Sequence, residues 1–125
     1  MKEIEFIGPE MAMEHAAFQM FKHVNMKIGV IVPKFHMLNN VRRDLDLNLN
    51  SIDSRSICKK TESRYSLQNG SDIMFMSATQ ADPWRGHQFS IFFMMYEPLP
   101  HEKKLSLIPA LTCNPNSILY TVYDR

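Results

Sequence analysis

The sequence has few of the features that mark secreted or membrane-spanning proteins. It contains only two cysteines, Cys58 and Cys113, which are far apart and lack the spacing of a metal site. The longest apolar run, Ile91–Met95, is far too short to cross a bilayer, and no secretory signal stands at the start of the chain. These absences predict two free thiols in a reducing cytosolic compartment and no contact with a membrane.

The chain also lacks an excess of either charge. Its 14 lysines and arginines nearly balance 13 aspartates and glutamates, which gives a net charge of +1 at pH 7. There is therefore no general electrostatic attraction to nucleic acid, and a contact with DNA would need a local cluster of basic residues. The ten methionines indicate adaptable core packing more than a contact surface. With 125 residues, the chain is expected to form one domain over residues 1–125.

The spacing of apolar residues predicts alternating strands and helices. Helices are predicted over Glu10–Val24, Phe35–Leu45 and Glu102–Leu111, and the polar segment Leu47–Asp53 is predicted as a loop. Strands are predicted over Lys2–Ile7, Ile28–Val32, Ser56–Lys60, Arg64–Leu67, Asp72–Ser77, Ser90–Met95 and Ser117–Tyr123. Asn69-Gly70 is a strong hairpin signal, since both residues tolerate positive φ. The order predicts an α/β fold, a mainly parallel sheet flanked by helices with an inserted β-hairpin.

Three segments carry a resemblance to a known family. Leu67–Phe75 has the pattern L-x-N-G-S-x-I-x-F, Arg85-Gly86 follows it, and the apolar strand Ile91–Met95 leads into Tyr96 and an acidic residue. In this order, the segments resemble the ATPase domain of the viral terminase large subunit, the motor that packages phage DNA. The resemblance implies a P-loop NTPase-like core.

Departures from the family pattern imply that the nucleotide chemistry is degenerate. The family's first loop has the form G-x-x-x-x-G-K-[ST], whose backbone and lysine hold phosphates. Here Gly8 remains, the lysine position falls at or near Glu14, and the family's Asp-Glu pair becomes Tyr96-Glu97. The resemblance therefore implies a stand-alone relative of the motor domain, without the nuclease domain that follows in the family and with no cofactor.

Glu97 is the remaining candidate for catalysis. It is either a retained catalytic base or a solvated carboxylate at a strand end next to Pro98. An atypical ATPase would combine Glu97 with a lysine from elsewhere, such as Lys34, although loss of phosphate donors costs much transition-state stabilisation. The histidines have no zinc spacing, so no metal site is predicted. No serine or cysteine nucleophile stands in a recognisable elbow, so the sequence has no hydrolase signature.

Two groups of residues are candidates for binding a partner. Trp84 and Arg85 form either an exposed pair of the kind found in protein-binding hot spots or a lid packed over the sheet. Lys59, Lys60 and Arg64 would form a basic patch for nucleic acid, against the alternative of an ordinary mixed surface. Further basic residues that would extend this patch are Arg42, Arg43, Lys103 and Lys104.

The first functional hypothesis is a non-enzymatic phage protein in the host cytoplasm. It would act by binding a protein or DNA partner, with a possible link to DNA packaging. The alternatives are the atypical ATPase that uses Glu97 and a small nucleic-acid-binding module. Exposed apolar edges also suggest a homo-oligomer.

Overall fold

Seven strands and three α-helices make up the computed structural model, which describes residues 1–112 and 114–124. The prediction of a free thiol at Cys113 lies outside these residues, whereas Cys58 is a free, exposed thiol. The strands are β1 (Lys2–Ile7), β2 (Lys27–Val32), β3 (Ile57–Lys60), β4 (Arg64–Leu67), β5 (Asp72–Ser77), β6 (Ile91–Tyr96) and β7 (Ile118–Tyr123). The helices are α1 (Pro9–Lys22), α2 (Leu38–Asp53) and α3 (His101–Thr112). The longest described helix, α2, has 16 residues, and none of the described helices qualifies as a transmembrane span.

All the strands belong to one sheet in the order β1-β7-β6-β2-β5-β4-β3. The first five in this order run parallel, and β4 pairs antiparallel with both β5 and β3. This confirms the prediction of an α/β fold with a mainly parallel sheet and an inserted hairpin. Because parallel strands end at the same edge, the carboxyl ends of β1, β7, β6, β2 and β5 lie together.

The Asn-Gly-Ser turn between β4 and β5 holds the end of α1. The Asn69 side-chain amide donates to the carbonyl oxygens of Met20 at 2.8 Å and His23 at 3.2 Å, and the Ser71 hydroxyl donates to His23 O at 2.8 Å. Gly70 has φ +87°, and a Cβ there would clash with the Asn25 side chain. These contacts satisfy the last carbonyls of α1, so the helix ends at Lys22 rather than at the predicted position two residues later.

The predicted loop over residues 47–53 is wrong, because α2 continues to Asp53. Leu38, Val41, Leu45 and Leu49 form one buried stripe along this helix. Burial of Leu49 against the core outweighs the weak helix propensity of the neighbouring asparagines. The predicted start of this helix at Phe35 also changes, since Phe35–Met37 forms a turn of 3₁₀-helix before α2.

Two hydrophobic cores lie on opposite faces of the sheet. The α1/α2 core contains the apolar faces of those helices, and the α3 core contains residues of α3 and of the loop before β6. In β6, Phe93 faces the α1/α2 core and Phe92 the α3 core, as alternation along a strand requires. Helices thus cover both sides of the parallel strands, as such strands require.

Candidate functional site

A surface cavity of about 410 Å³ opens at the carboxyl edge of the sheet. It lies where β1, β6 and β7 end and where α1 begins, the usual ligand position in open α/β sheets. It is lined by Gly8, Pro9, Glu10, Met11, Asn40, Arg43, Asp44, Tyr96 and Asp124. The structure therefore brings together two of the degenerate nucleotide positions, Gly8 and Tyr96.

The connection from β1 to α1 is a single residue, Gly8. Its φ of +98° turns the chain directly into Pro9, the first residue of the helix. The Gly8 amide donates to Tyr123 O at 3.0 Å, and its carbonyl accepts from the Ala12 amide at 3.0 Å. Pro9 has no N–H group. A phosphate-binding loop needs several free amides in an extended connection, and this connection has no room for one.

Tyr96 ends β6 in a backbone conformation that is uncommon for a tyrosine, with φ +74°. Its register partner in β7 is Tyr123, and simple alternation after Met95 would place its side chain on the α3 face. Instead, its ring packs against the α1/α2 core and lines the cavity. Burial raises the pKa of the Tyr96 phenol, and the nearby Asp44 and Asp124 carboxylates raise it further. A neutral phenol thus occupies the position where the resemblance places a magnesium-organising aspartate.

Carboxylates dominate the charge of the cavity. Glu10, Asp44 and Asp124 line it together with one guanidinium, Arg43, which donates to Asn40 Oδ1 at 3.3 Å. Burial raises the pKa of Asp44, and the Glu10 carboxylate raises it further, against a smaller opposite effect of Arg43. Among the residues that the structure describes, no three acidic, histidine or cysteine side chains are placed to hold a metal ion. The cavity is better suited to a neutral or cationic group than to a polyphosphate.

The other two candidates from the family pattern lie elsewhere. Glu97 is exposed and lines a separate pocket of about 190 Å³ with Pro33, Ala78 and Pro98 among its walls. Glu14 lines a groove formed by residues of β1, α1 and the second half of α2. Neither lines the cavity with Gly8 and Tyr96, and Lys34 is exposed before the 3₁₀ turn. The family positions are therefore divided among three surfaces.

The sequence did not indicate Asn40, Asp44 or Asp124 for this site, and it suggested Arg43 only for a basic patch. Asn40, Arg43 and Asp44 lie in the first half of α2, and Asp124 directly follows β7. Their common signal is their position soon after the carboxyl ends of parallel strands. The strand order alone brings them together.

The expectation of an exposed Trp84 is wrong, and the alternative of a lid residue is the one observed. Trp84 is 1% exposed in the α3 core, where its indole N–H donates to Ser106 Oγ at 3.3 Å. Arg85 beside it has a side chain that is 79% exposed and pairs with Asp82 at 2.9 Å. Arg85 is thus available to a partner, whereas Trp84 is not.

The predicted basic patch of Lys59, Lys60 and Arg64 is divided by the sheet. Lys60 lies on the α1/α2 face, where it pairs with Asp46 at 2.6 Å and stacks over the Tyr65 ring. Lys59 pairs in register with Ser66, and Arg64 with Met74, on the opposite face. The three side chains therefore do not form one surface. The further basic residues are dispersed too. Arg42 donates to Glu62 O, and Arg43 lies in the cavity. On α3, Lys103 donates to Ala78 O and Lys104 pairs with Glu3.

Comparison with solved structures identifies the fold. The ATPase domain of the large terminase of Thermus phage P74-26 and an arginine-to-alanine mutant of that domain have the same fold. The mutant matches with a TM-score of 0.72 at 14% identity, and the other structure with 0.66 at 13%. Each match covers 99% of this chain, which spans 60% of the length of the terminase chain. No family model and no curated protein sequence matches the chain. The likeness thus confirms the resemblance at the level of the fold.

Proposed function

We propose that the chain is a terminase-like phage protein that acts by binding a partner and not by hydrolysing a nucleotide. The observation that carries this proposal is the single-residue connection at Gly8, which leaves no phosphate-binding loop between β1 and α1. The terminase domains with the same fold are described as ATPase domains. A shared fold with a different site is a common route to a different function.

The chemistry of the cavity supports the same conclusion. A triphosphate here would approach three carboxylates and only one guanidinium, and like charges repel strongly where water is partly excluded. Tyr96 supplies a phenol in place of a carboxylate ligand for magnesium. Glu97, the residue proposed for an atypical ATPase, lies in a separate pocket. Phosphate positioning, metal ligation and base catalysis therefore lack a common centre.

Thermal unfolding with and without millimolar Mg-ATP or Mg-ADP tests this proposal. A ligand that binds only the folded state at a hundred times its dissociation constant adds about 2.7 kcal/mol of stability. We expect no shift of the unfolding midpoint with either nucleotide, and no phosphate release above that of buffer. A shift accompanied by phosphate release that Glu97→Gln abolishes would establish the atypical ATPase instead. The matched control is Glu62→Gln, which neutralises an exposed carboxylate in the β3–β4 turn.

A nucleic-acid partner is a second candidate, supported by one groove. Lys27, Arg64 and His87 line a pocket of about 360 Å³ on the α3 face of the sheet, although Lys27 also pairs with Asp72 at 2.8 Å. This hypothesis predicts binding of single- or double-stranded DNA that weakens steeply with salt. Replacing Lys59 and Arg64 together by glutamine should weaken it. Replacing Lys60 should have a smaller effect, since that side chain lies on the other face. Salt-insensitive binding would remove the candidate.

A further inference from the structure

A pocket of about 360 Å³ lies on the α3 face of the sheet, near the amino ends of β2 and β5. It is the groove that supports the nucleic-acid candidate, and all of its lining residues fall within residues 27–89. The side chains that matter here are those of Lys27, Arg64, Asp72, Met74, His87 and Phe89. In the sheet, β6 separates β2 from β7, and β5 and β4 lie on the other side of β2. The pocket is therefore away from β1 and β7.

Lys27 and Asp72 neutralise each other in one wall of this pocket. The Lys27 ammonium donates to Asp72 Oδ2 at 2.8 Å and to Gly70 O at 3.0 Å. Asp72 Oδ1 accepts from the Ser66 hydroxyl. Although partial burial raises the pKa of Asp72, these hydrogen bonds and the charges of Lys27 and Arg64 lower it below its usual value. Asp72 is therefore ionised, with a hydrogen bond on each oxygen.

Arg64 is the cation of this pocket that has no carboxylate of its own. The residue is half-buried, and its guanidinium donates to the Met74 sulfur at 3.4 Å, a weak acceptor. Among the described residues it forms no ion pair, and both oxygens of Asp72 already accept other bonds. A guanidinium carries a planar fork of N–H donors that matches a carboxylate. Arg64 thus leaves most of this fork available at the pocket.

The remaining wall is apolar and aromatic. Phe89 is 3% exposed in the α3 core, and its ring centre lies 6.1 Å from that of His87. Met74 packs against the same core while partly exposed, and its flexible thioether adapts to different shapes. An apolar group placed here would be removed from water. The volume is near the lower end of the range for ligand pockets, about 300–1,000 Å³, so the matching ligand is small.

The charges of the lining favour a ligand with one negative charge. Apart from His87, the cations Lys27 and Arg64 and the carboxylate of Asp72 leave a single positive charge. A nucleic acid needs several cations along its phosphates, and Asp72 would repel a second negative charge in the same pocket. A carboxylate matches one guanidinium both in charge and in shape.

We propose that this pocket binds a carboxylate that is carried on a small apolar body. The carboxylate would accept a pair of N–H bonds from Arg64, and the apolar body would lie on Met74 and Phe89. Such a group occurs at the carboxyl terminus of a polypeptide that ends in an apolar residue, and in a free aliphatic acid. Capture of a carboxyl terminus is a recurring mode of peptide recognition. The proposal rests on the binding role proposed above and deepens it by naming the chemistry of the partner.

Titration of the ¹⁵N-labelled chain, followed by its amide chemical shifts, tests the proposal. The probes are acetyl-alanyl-alanyl-leucine with a free carboxyl group, the same peptide as its carboxyl amide, and acetylglycine, which lacks the apolar body. We expect the leucine acid to shift the amides of Met74, His87 and Gln88. It should bind about tenfold more tightly than either control, because the amide lacks the charge and acetylglycine buries little apolar surface. Equal binding of the acid and the amide, or shifts confined to other amides, would overturn the proposal.

Two further probes identify the source of the carboxylate. Tighter binding of the leucine peptide than of 4-methylpentanoate would assign the pocket to a chain terminus, and the reverse order would assign it to a free acid. Either order supports recognition of an apolar carboxylate. The other probe is an oligonucleotide of deoxythymidine. If it shifts the same amides and neither acid does, the proposal is overturned and the pocket belongs to the nucleic-acid candidate.

Two substitutions at Arg64 separate the fork from the charge. Arg64→Lys keeps the charge but cannot hold both oxygens of a carboxylate, and Arg64→Gln removes the charge as well. We expect the leucine acid to bind roughly tenfold more weakly to Arg64→Lys, and more weakly still to Arg64→Gln. The matched control is Arg55→Gln, since the Arg55 side chain is 94% exposed and does not line the pocket. Unchanged binding of the acid by Arg64→Gln would contradict the proposal.

The outcome does not depend on one variant. If Arg64→Gln does not fold, as judged by far-UV circular dichroism, the comparison of acid and amide on the unmodified chain still decides. Neither Mg-ATP nor Mg-ADP enters these experiments, so their failure would leave the non-enzymatic proposal standing. A nucleotide-dependent shift in the thermal unfolding test would in turn refute that proposal without changing the binding of the acid.

Discussion

At the scale of single residues, Tyr96 determines the character of the carboxyl-edge cavity. Its positive φ changes the direction of the side chain at the end of β6. The phenol therefore lines the cavity, while the next residue, Glu97, lines a different pocket. A sequence pattern treats Tyr96-Glu97 as one pair at a strand end. The backbone separates them, and strained conformations of this kind concentrate at functional sites.

A comparison of two truncations at Tyr96 tests the backbone strain. Both Tyr96→Ala and Tyr96→Gly remove the ring, so both lose its packing against the α1/α2 core. Glycine adopts the left-handed region freely, whereas a Cβ there costs roughly 1 kcal/mol. We expect Tyr96→Gly to be more stable than Tyr96→Ala by about 1 kcal/mol in urea unfolding. The opposite order, which is usual for a residue within a strand, would mean that Tyr96 is not held at positive φ.

At the scale of elements, local patterns identified the strands β1 to β7, but they missed the second half of α2. The run Ile28–Val32 is apolar throughout and lies within β2, between two other parallel strands. The strand could be predicted because a short, continuous apolar run is typical of a parallel strand that is buried on both faces. The helical structure of the second half of α2 could not be predicted, because residues 47–53 are polar apart from Leu47, Leu49 and Ile52. That segment is helical because Leu49 reaches a core built by distant residues.

Close packing between β2 and β6 depends on a glycine. Gly29 lies beside the Phe92 ring, and a Cβ at this position would lie 2.5 Å from two of its ring carbons. Because Phe92 is fully buried, its ring has little room to move. We expect Gly29→Ala to destabilise the protein by roughly 1–3 kcal/mol, as overpacking does. Urea unfolding monitored by circular dichroism measures this loss.

The partner substitution Phe92→Leu provides the control for this contact. Leucine is smaller than the ring, so Gly29→Ala should cost less in the Phe92→Leu background than in the unmodified chain. The difference between the two backgrounds is the coupling energy of a double-mutant cycle. Equal costs in both backgrounds would mean that the methyl group meets another neighbour, such as Met76, whose Sδ-methyl carbon lies next closest at 3.1 Å.

At the scale of the whole molecule, the candidate site is a product of strand order. The resemblance grouped Gly8, Glu14 and Tyr96 as positions of one degenerate nucleotide site; the cavity contains Gly8 and Tyr96, whereas Glu14 lines another groove. The sequence did not indicate Asp44 or Asp124 for this site: Asp124 reaches it because β7 lies between β1 and β6, and Asp44 because α2 packs beside α1. Among the described residues, the same order places β1 next to β7 at the end of the sheet, far from β2 in space although β2 is the next strand along the chain. Neither consequence of the order is visible in a local pattern of residues.

The shared sheet also predicts that both cores unfold together. Strands β2 and β6 give alternate side chains to each core, so loss of one face removes support from the other. Leu45→Ala creates a cavity in the α1/α2 core and should cost about 2–5 kcal/mol. Trp84, the only tryptophan, lies in the α3 core on the opposite face. We expect Leu45→Ala to lower the midpoint of Trp84 fluorescence as much as the midpoint of far-UV circular dichroism.

The control for this last prediction is Leu105→Ala on α3, since Leu105 is 54% exposed. Leu105 lies on the same side of the sheet as Trp84, but its side chain buries little apolar surface. The substitution should therefore change the free energy of unfolding by less than about 0.5 kcal/mol. A Trp84 transition that stays at its original midpoint in Leu45→Ala, while circular dichroism becomes biphasic, would contradict a single cooperative unit. The two faces would then be separate units of local stability. Coincident transitions instead mean that the two faces of the sheet unfold as one cooperative unit, as expected when β2 and β6 contribute side chains to both cores.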